Sequence, residues 1–251
     1  MTDILIPLGT GSRHDNLELR YCLRSIEKHL KGVGNVFLVG EKPDWIQNVI
    51  HILAKDNPNN WNRARNIYDK IMAGINFSEL WDNCHISGIS DYEKKELSDN
   101  FLFMNDDHFL LQDYEAWEFP YYHRGTIRGM DYGNNGPQIK QMDNTERLFL
   151  QSINDFDIHC PIIYNKAKFK KSFPEKWPEH GYGIKSLYCA VNDIEGEEID
   201  DLKFKEPLMK ESIYQALEGR NWFSIGDKCL KSGAMKEVLE TIYPDKSRYE
   251  N

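Results

Sequence analysis

The sequence has few cysteines and no long apolar run. Its five cysteines are odd in number, widely spaced and never form a C-x-x-C pair, so neither a disulfide framework nor a cysteine-based zinc site is expected. No apolar stretch approaches the ~20 residues that a membrane-spanning helix needs, and we expect no membrane span. The short apolar run near the N-terminus has no basic segment before it, which predicts a strand rather than a signal peptide. We therefore expect a cytoplasmic protein.

Basic residues are also in the minority. Lys and Arg total 31 and Asp and Glu total 40, which gives a formal net charge of −9. A protein that binds DNA or RNA mainly through phosphates needs a basic surface, so no extended nucleic-acid surface is expected, although one local basic pocket is compatible with this charge. The 251 residues contain no internal repeat and no Pro/Ser-rich linker, which favours a single domain.

The first half of the chain alternates strand-like and helix-like patterns. Strands are predicted near residues 3–8, 35–40, 49–53 and 101–104, and helices near 16–30 and 62–75. This order predicts an α/β fold with an open, mostly parallel sheet flanked by helices. The second half is more elaborate, with strand-like runs at 156–164 and 222–227, helical runs at 183–191 and 235–242, and a helix with a loop expected at 78–99.

Two polar segments follow strands that are predicted to end at the same edge of the sheet. Asn105, Asp106 and Asp107 follow the strand at 101–104, and the turn at 9–13 follows the first strand. Open α/β sheets bind ligands at the carboxyl ends of their strands. Adjacent buried carboxylates are costly unless they are neutralised, and Mg²⁺ or Mn²⁺ bound to a diphosphate would neutralise them. The alternative is an Asp-Asp turn that caps the next segment.

A dense polar cluster opens the first predicted helix. Asp15 and Glu18 have the spacing of a capping box, which would account for both acids without any further role. Arg13 and Arg20 are not explained by capping, and a helix N-terminus beside an arginine is a natural phosphate site.

His159 and Asp227 are the remaining candidates. A lone histidine within an apolar run is usually structural, but Pro161 predicts a sheet edge or bulge, from which His159 could reach a cleft. Asp227 ends the strand-like run at 222–227. It is either a third carboxylate of a metal site or the cap of the following turn.

These segments together resemble the Stealth proteins, which include bacterial capsular polysaccharide phosphotransferases and the animal N-acetylglucosamine-1-phosphotransferase. The resemblance is carried by the segments 15–29 and 101–109, the triplet His159-Cys160-Pro161, the strand end 223–227 and the tail Ser247-x-Tyr249-Glu250. Three features depart from the family pattern. Residues 4–10 replace the family's first conserved region, so the usual acid of that turn is missing. Gly226 stands where the family has Asn, and Lys185 stands where it tends to have Arg. Lys cannot form the bidentate phosphate contact of Arg.

The resemblance implies a GT-A-like fold and a transferase. The implied reaction moves a sugar 1-phosphate from a nucleotide diphosphate sugar, with a UDP sugar favoured, to a hydroxyl of a glycan or another acceptor. Residues 1–113 would form the nucleotide-binding half of one catalytic domain, and residues 114–251 the acceptor half. Two alternatives stay open: a glycosyltransferase that moves the sugar without its phosphate, and a non-catalytic protein that binds nucleotides or carbohydrates.

The resemblance also assigns roles to the candidate residues. Mg²⁺ or Mn²⁺ would be held by Asp106, Asp107 and Asp227, and phosphate oxygens would be bound by Arg13, Arg20 and Lys185. The substrate would further contact Gly9, Thr10, Asn16 and Asn105. His159 would act as the general base or as a phosphoryl-accepting nucleophile.

Overall fold

The computed structural model describes residues 1–12, 14–57, 63–79 and 95–251. Arg13 and most of the predicted segment 78–99 lie outside the described residues. Within the described ranges, no helix combines the length and the apolar character that crossing a membrane would require.

The described elements alternate between strands and helices in the first half of the chain. The strands are β1 (Thr2–Leu8), β2 (Leu30–Lys31), β3 (Val33–Gly40), β4 (Ile50–Ile52), β5 (Asn100–Phe103), β6 (His108–Leu110), β7 (Tyr114–Glu115), β8 (Tyr122–His123), β9 (Ile162–Asn165), β10 (Glu197–Glu198), β11 (Lys203–Phe204) and β12 (Trp222–Ile225). The α-helices are α1 (Leu17–His29), α2 (Arg63–Ile75), α3 (Gly136–Glu146), α4 (Lys166–Lys171), α5 (Ile184–Val191), α6 (Lys210–Leu217) and α7 (Ala234–Ile242). Short 3₁₀ turns lie at Ile127–Gly129 and Asp227–Ser232.

Two sheets organise the site. The central sheet has the order β4-β3-β1-β5-β9, in which the first four strands are parallel and β9 is antiparallel to β5. A smaller sheet has the order β11-β12-β6. These sheets confirm the predicted α/β class with an open, mostly parallel sheet flanked by helices.

The central strand β1 is buried on both faces. All seven of its residues are buried. Ile4 and Ile6 pack in a cluster with Leu23 of α1, whereas Leu5 packs in a second cluster with Ile71 of α2. A parallel sheet covered on both faces requires such continuous apolar strands, and this explains why its strands were recognisable from the sequence.

The start of α1 differs from the predicted capping box. Asn16 is the N-cap residue, has a left-handed conformation with φ of 51°, and makes no side-chain cap bond. Instead, the Ser12 hydroxyl oxygen accepts a hydrogen bond from the Asn16 backbone N–H at 2.9 Å. The predicted capping box is therefore wrong, because Asn16 and not Asp15 is the N-cap residue.

The predicted strand at 156–164 is also shorter than expected. Only β9, from Ile162, pairs with the sheet, and it does so at the edge. The chain before it is irregular, since Pro161 has no N–H to donate to a ladder. His159 consequently lies in a loop that approaches the carboxyl end of the central sheet.

The C-terminal tail is attached to α1 by a buried ion pair. Arg24 donates from Nε and Nη2 to the two carboxylate oxygens of Glu250, each at 2.8 Å. The Glu250 side chain is 2% exposed, and the backbone N–H of Ser247 also donates to it. These contacts hold α1 against the C-terminal tail.

We expect Glu250→Gln to lower the free energy of unfolding by about 2–4 kcal/mol, because it leaves the Arg24 charge buried without its partner. Glu27→Gln is the matched control, since it breaks the Glu27–Arg248 pair between the same helix and the same tail, where the side chains are 39% and 55% exposed. The control is expected to cost about 0–1 kcal/mol. Urea unfolding of both variants measures the difference, and equal losses would contradict this account of the tail.

Candidate active site

A cavity of about 710 Å³ lies where the central sheet meets the smaller sheet. Most of the predicted site residues line it: Gly9, Thr10, Asn16, Asn105, Asp106, Asp107, His159 and Asp227. They come from segments far apart in the chain, and the topology explains their meeting. β1 and β5 are parallel neighbours that end at one edge, and β12, which precedes Asp227, pairs with β6.

The turn that carries the two aspartates connects the sheets. Asn105, Asp106 and Asp107 leave the central sheet after β5 and enter the smaller sheet at β6. The ring of His108 is fully buried, and its Nδ1 accepts a hydrogen bond from the Asn105 backbone N–H at 3.3 Å. Burial lowers the pKa of His108 well below its usual value, so the ring stays neutral and can accept this bond. The turn is thereby fixed from its buried side.

The two adjacent carboxyl groups have opposite pKa shifts. Burial, followed by the charges of Asp107 and Glu18, raises the pKa of Asp106 from 3.8 to about 7. Burial acts in the same direction on Asp107, but the charge and hydrogen bond of Lys203, together with contributions from His108 and His159, outweigh it and lower the pKa of Asp107. Lys203 Nζ lies 2.8 Å from Asp107 Oδ2. Asp107 is thus ionised beside a lysine, while Asp106 forms no ion pair with any residue that the structure describes.

Glu18 is a site residue that the sequence analysis missed. Its side chain lines the cavity and is buried, and burial followed by the charges of Asp227 and Asp107 raises its pKa. The capping-box spacing concealed this position because it offered a sufficient local explanation for the acid. The spacing of three residues from Asp15 is the same whether Glu18 caps the helix or lines the cavity.

Several oxygen atoms around the cavity lack a partner. Within the described part of the chain, Asn16 Oδ1, Glu18 Oε2 and Asp107 Oδ1 are buried and accept no hydrogen bond. Buried acceptors without partners cost about 1–3 kcal/mol each. Carboxylate and amide oxygens are the ligands that Mg²⁺ and Mn²⁺ prefer, so the residues present fit a hard divalent cation.

The carboxylates do not form a complete metal site by themselves. Among the described residues, no group of three or more His, Cys, Asp or Glu side chains is arranged to hold a metal ion. The predicted triad of Asp106, Asp107 and Asp227 is therefore not preformed. Mg²⁺ is commonly held by only one or two carboxylates together with substrate phosphates and water, and metal binding by Asp106 and Asp107 stays a prediction.

His159 forms a close pair with Asp201. Its Nδ1 lies 2.6 Å from Asp201 Oδ2, and its backbone N–H donates to Asp201 Oδ1 at 3.0 Å. Burial would raise the pKa of Asp201, but the hydrogen bonds from His159 lower it. An ionised carboxylate can only accept, so Nδ1 carries a proton, and in the neutral form of the ring Nε2 carries the lone pair. Asp201 was not predicted, because it belongs to an acidic segment with no local pattern.

Lys185 supports the loop of His159 and does not line the cavity. Its ammonium donates to the backbone carbonyls of Ile158 and Cys160, each at 2.6 Å, and the residue is 6% exposed. These two carbonyls flank His159. The geometry thus gives Lys185 a positioning role, in place of the predicted contact with phosphate.

Arg20, the predicted phosphate-binding arginine that the structure describes, does not reach the cavity either. The Arg20 guanidinium stacks over Trp45 at 4.5 Å and approaches Asp15 and Glu250 at 3.9 and 4.0 Å. It does not line the cavity. Arg13 lies outside the described residues.

Lysines supply the positive charge of the cavity instead. Lys203 and Lys205 line it, as do Lys70 and Lys228. Lys70 pairs with Asp56 at 2.6 Å, and Lys228 pairs with Glu206 at 2.6 Å. Lys203 and Lys205 lie on either side of the buried Phe204. This period-2 alternation is typical of a strand and could have indicated from the sequence that the two lysines face the same side.

Comparisons with known proteins were made for the whole chain. No protein-family model matches it. The capsular polysaccharide phosphotransferase CpsJ of Streptococcus thermophilus is 34% identical over 222 residues, which cover 84% of this chain and 80% of that protein. The N-acetylglucosamine-1-phosphotransferase subunits alpha/beta of Mus musculus are 34% identical over 111 residues, 43% of this chain but only 8% of that protein.

Among solved structures, an active-site mutant of LgtC covers 98% of both chains at 11% identity, with a TM-score of 0.43. The match to CpsJ extends over most of both proteins and confirms the resemblance that the sequence motifs indicated. The chain belongs to the family of capsular polysaccharide phosphotransferases.

Proposed function

We propose that the protein transfers a sugar 1-phosphate from a nucleotide diphosphate sugar to an acceptor hydroxyl. The observation that carries the proposal is that the His159–Asp201 pair and the adjacent carboxylates of Asp106 and Asp107 meet at one cavity. Such a cavity combines a proton acceptor with ligands for a cation on a diphosphate. The similarity to CpsJ and to the mouse protein, both of which are phosphotransferases by name, supports transfer of a phosphorylated group.

His159 is placed to activate the acceptor. With its Nδ1 proton held by Asp201, Nε2 accepts the proton of the acceptor hydroxyl as the hydroxyl oxygen attacks the phosphorus next to the sugar. The bond between that phosphorus and the bridging oxygen breaks, and a nucleoside monophosphate leaves. Asp201 holds the ring in the required tautomer and stabilises the imidazolium that forms.

Asp106 and Asp107 would hold Mg²⁺ or Mn²⁺, and Asn105 and Glu18 add further oxygen atoms beside them. When it is bound, the cation offsets the charge that develops on the phosphate oxygens during transfer. Gly9 and Thr10 line the cavity at the end of β1, where their backbone can approach the nucleotide. Lys185 keeps the His159 loop in place through Ile158 and Cys160.

The identity of the released nucleotide tests the reaction. The protein is incubated with Mn²⁺ and a panel of UDP sugars, and the products are separated by ion-exchange chromatography. Transfer of a sugar 1-phosphate releases UMP, whether the acceptor is a glycan or water. Accumulation of UDP would show that only the sugar is moved and would contradict the proposal.

A second prediction concerns the histidine pair. His159→Ala is expected to lower turnover by about 10²- to 10⁴-fold, because it removes the proton acceptor. Asp201→Asn is expected to cause a comparable loss, since an amide N–H facing Nδ1 favours the tautomer that carries its proton on Nε2. The control is Asp200→Asn, which removes the neighbouring exposed carboxylate and should turn over like the wild type. Full activity of Asp201→Asn would exclude this role of the pair.

A third prediction follows from the raised pKa of Asp106. Because its pKa is about 7 in the folded protein and 3.8 ordinarily, the folded state binds more protons between these values, and stability falls as pH rises through this window. In EDTA, Asp106→Asn should be more stable than the wild type at pH 8 by about 1–3 kcal/mol, and the difference should shrink towards pH 5.

Thermal unfolding between pH 5 and 8 measures this difference. Mn²⁺ should stabilise the wild type at pH 8 and have little effect on Asp106→Asn. A variant that is less stable than the wild type at every pH would show that the Asp106 carboxylate is a structural group rather than a ligand.

A further inference from the structure

A lysine forms an ion pair with one of the two adjacent aspartates. Lys203 Nζ lies 2.8 Å from Asp107 Oδ2, and the two side chains are 22% and 18% exposed. Both line the cavity. Lys203 is on β11, which pairs with β12 beside Ser224, so its backbone is anchored while its four-carbon side chain remains able to turn. Lys203 thus neutralises the charge of Asp107 from within the chain.

This neutralisation is incomplete. Asp107 Oδ1 accepts no hydrogen bond within the described ranges, and His108 Nε2 lies 3.9 Å from it. Asn16 Oδ1 and Glu18 Oε2 on the cavity wall also accept no hydrogen bond. One ammonium satisfies one of the oxygens, whereas a divalent cation accepts several oxygen ligands at once. Asp107 is therefore better matched to a divalent cation than to Lys203.

A second lysine lies on the same face of the strand. Lys205 is two residues beyond Lys203, so their side chains point to the same side, and both line the cavity. Lys205 is exposed and makes no hydrogen bond or ion pair with any residue that the structure describes. Lys228, by contrast, already pairs with Glu206. Lys203 and Lys205 are thus the two lysines that one anionic ligand could engage together.

We propose that Lys203 occupies the cation position at Asp107 until the donor enters, and then exchanges Asp107 for a phosphate of the nucleotide diphosphate. Lys205 binds the same diphosphate from the neighbouring position of the strand. The inference rests on the proposed function in taking the ligand to be a metal-bound nucleotide diphosphate. Arriving metal competes for the Asp107 carboxylate, and the arriving phosphates provide a new partner for the displaced ammonium.

The exchange couples the binding of metal and nucleotide. Metal alone must displace Lys203 and leave its charge without a partner, which weakens metal binding. Metal that arrives with a nucleotide leaves Lys203 paired with phosphate, so each ligand strengthens the binding of the other. Removing the lysine charge should therefore strengthen the binding of metal alone and weaken the binding of metal together with nucleotide.

Binding of Mn²⁺ to the full chain tests the proposal, with free Mn²⁺ measured by electron paramagnetic resonance in the absence and presence of UDP. Lys203→Gln is expected to bind Mn²⁺ alone about 5- to 10-fold more tightly than the wild type, and UDP in the presence of Mn²⁺ about 10-fold more weakly. Lys228→Gln removes the same charge from the same cavity without touching a pair with Asp107, and its affinity for Mn²⁺ alone should change by less than about twofold.

Lys203→Arg keeps a cation beside Asp107 and should bind Mn²⁺ alone no more tightly than the wild type. The proposal is overturned if Lys203→Gln binds Mn²⁺ alone no more tightly than the wild type, or if Lys203→Arg binds it as tightly as Lys203→Gln. Absence of Mn²⁺ binding to the wild type would also overturn it. Release of UDP instead of UMP would refute the proposed function while leaving these titrations to decide the role of Lys203.

Discussion

Negative charge is concentrated at the point where the chain passes from the central sheet to the smaller one. Asp106 and Asp107 are adjacent on this turn, and Glu18 reaches the same cavity from α1. Burial disfavours ionisation of all three, yet among the residues that the structure describes only Asp107 forms an ion pair, with Lys203. A cavity of this kind is costly to maintain without a cation. The surrounding structure keeps these carboxylates together despite that cost.

The support comes from several elements that are distant in the chain. His108 holds the turn through the Asn105 backbone, and the Arg24–Glu250 pair ties α1 to the tail. On the opposite wall, Lys185 holds the carbonyls on both sides of His159, and Asp201 holds its ring. The carboxylate side and the His159 side of the cavity are therefore supported by different residues. Their placement on one cavity suits the proposed phosphoryl transfer, because such reactions depend mainly on positioning and electrostatic stabilisation.

The fold class and the centre of the site were accessible from the sequence, because they depend on local patterns. Buried parallel strands are continuous apolar runs, and polar residues directly after β1 and β5 must meet at one sheet edge. Glu18 was missed because its capping-box spacing offered a local explanation that the left-handed Asn16 excludes. Asp201 and Lys185 could not be assigned correctly, since their partners lie 42 and about 26 residues away in irregular loops. Arg20 was expected to bind a phosphate. Its guanidinium instead packs on Trp45 and approaches Glu250 of the tail, and both residues are distant from Arg20 in the sequence.

The central claim is that the Asp106–Asp107 turn receives the cation of a metal-bound nucleotide. A crystal of the protein grown with Mn²⁺ and UDP tests it directly, through the anomalous scattering of manganese. The account predicts a single strong peak within bonding distance, roughly 2.1–2.3 Å, of a carboxylate oxygen of Asp106 or Asp107, with the diphosphate on the same ion. A manganese peak elsewhere, or UDP bound in the cavity with no metal at these carboxylates, would contradict it.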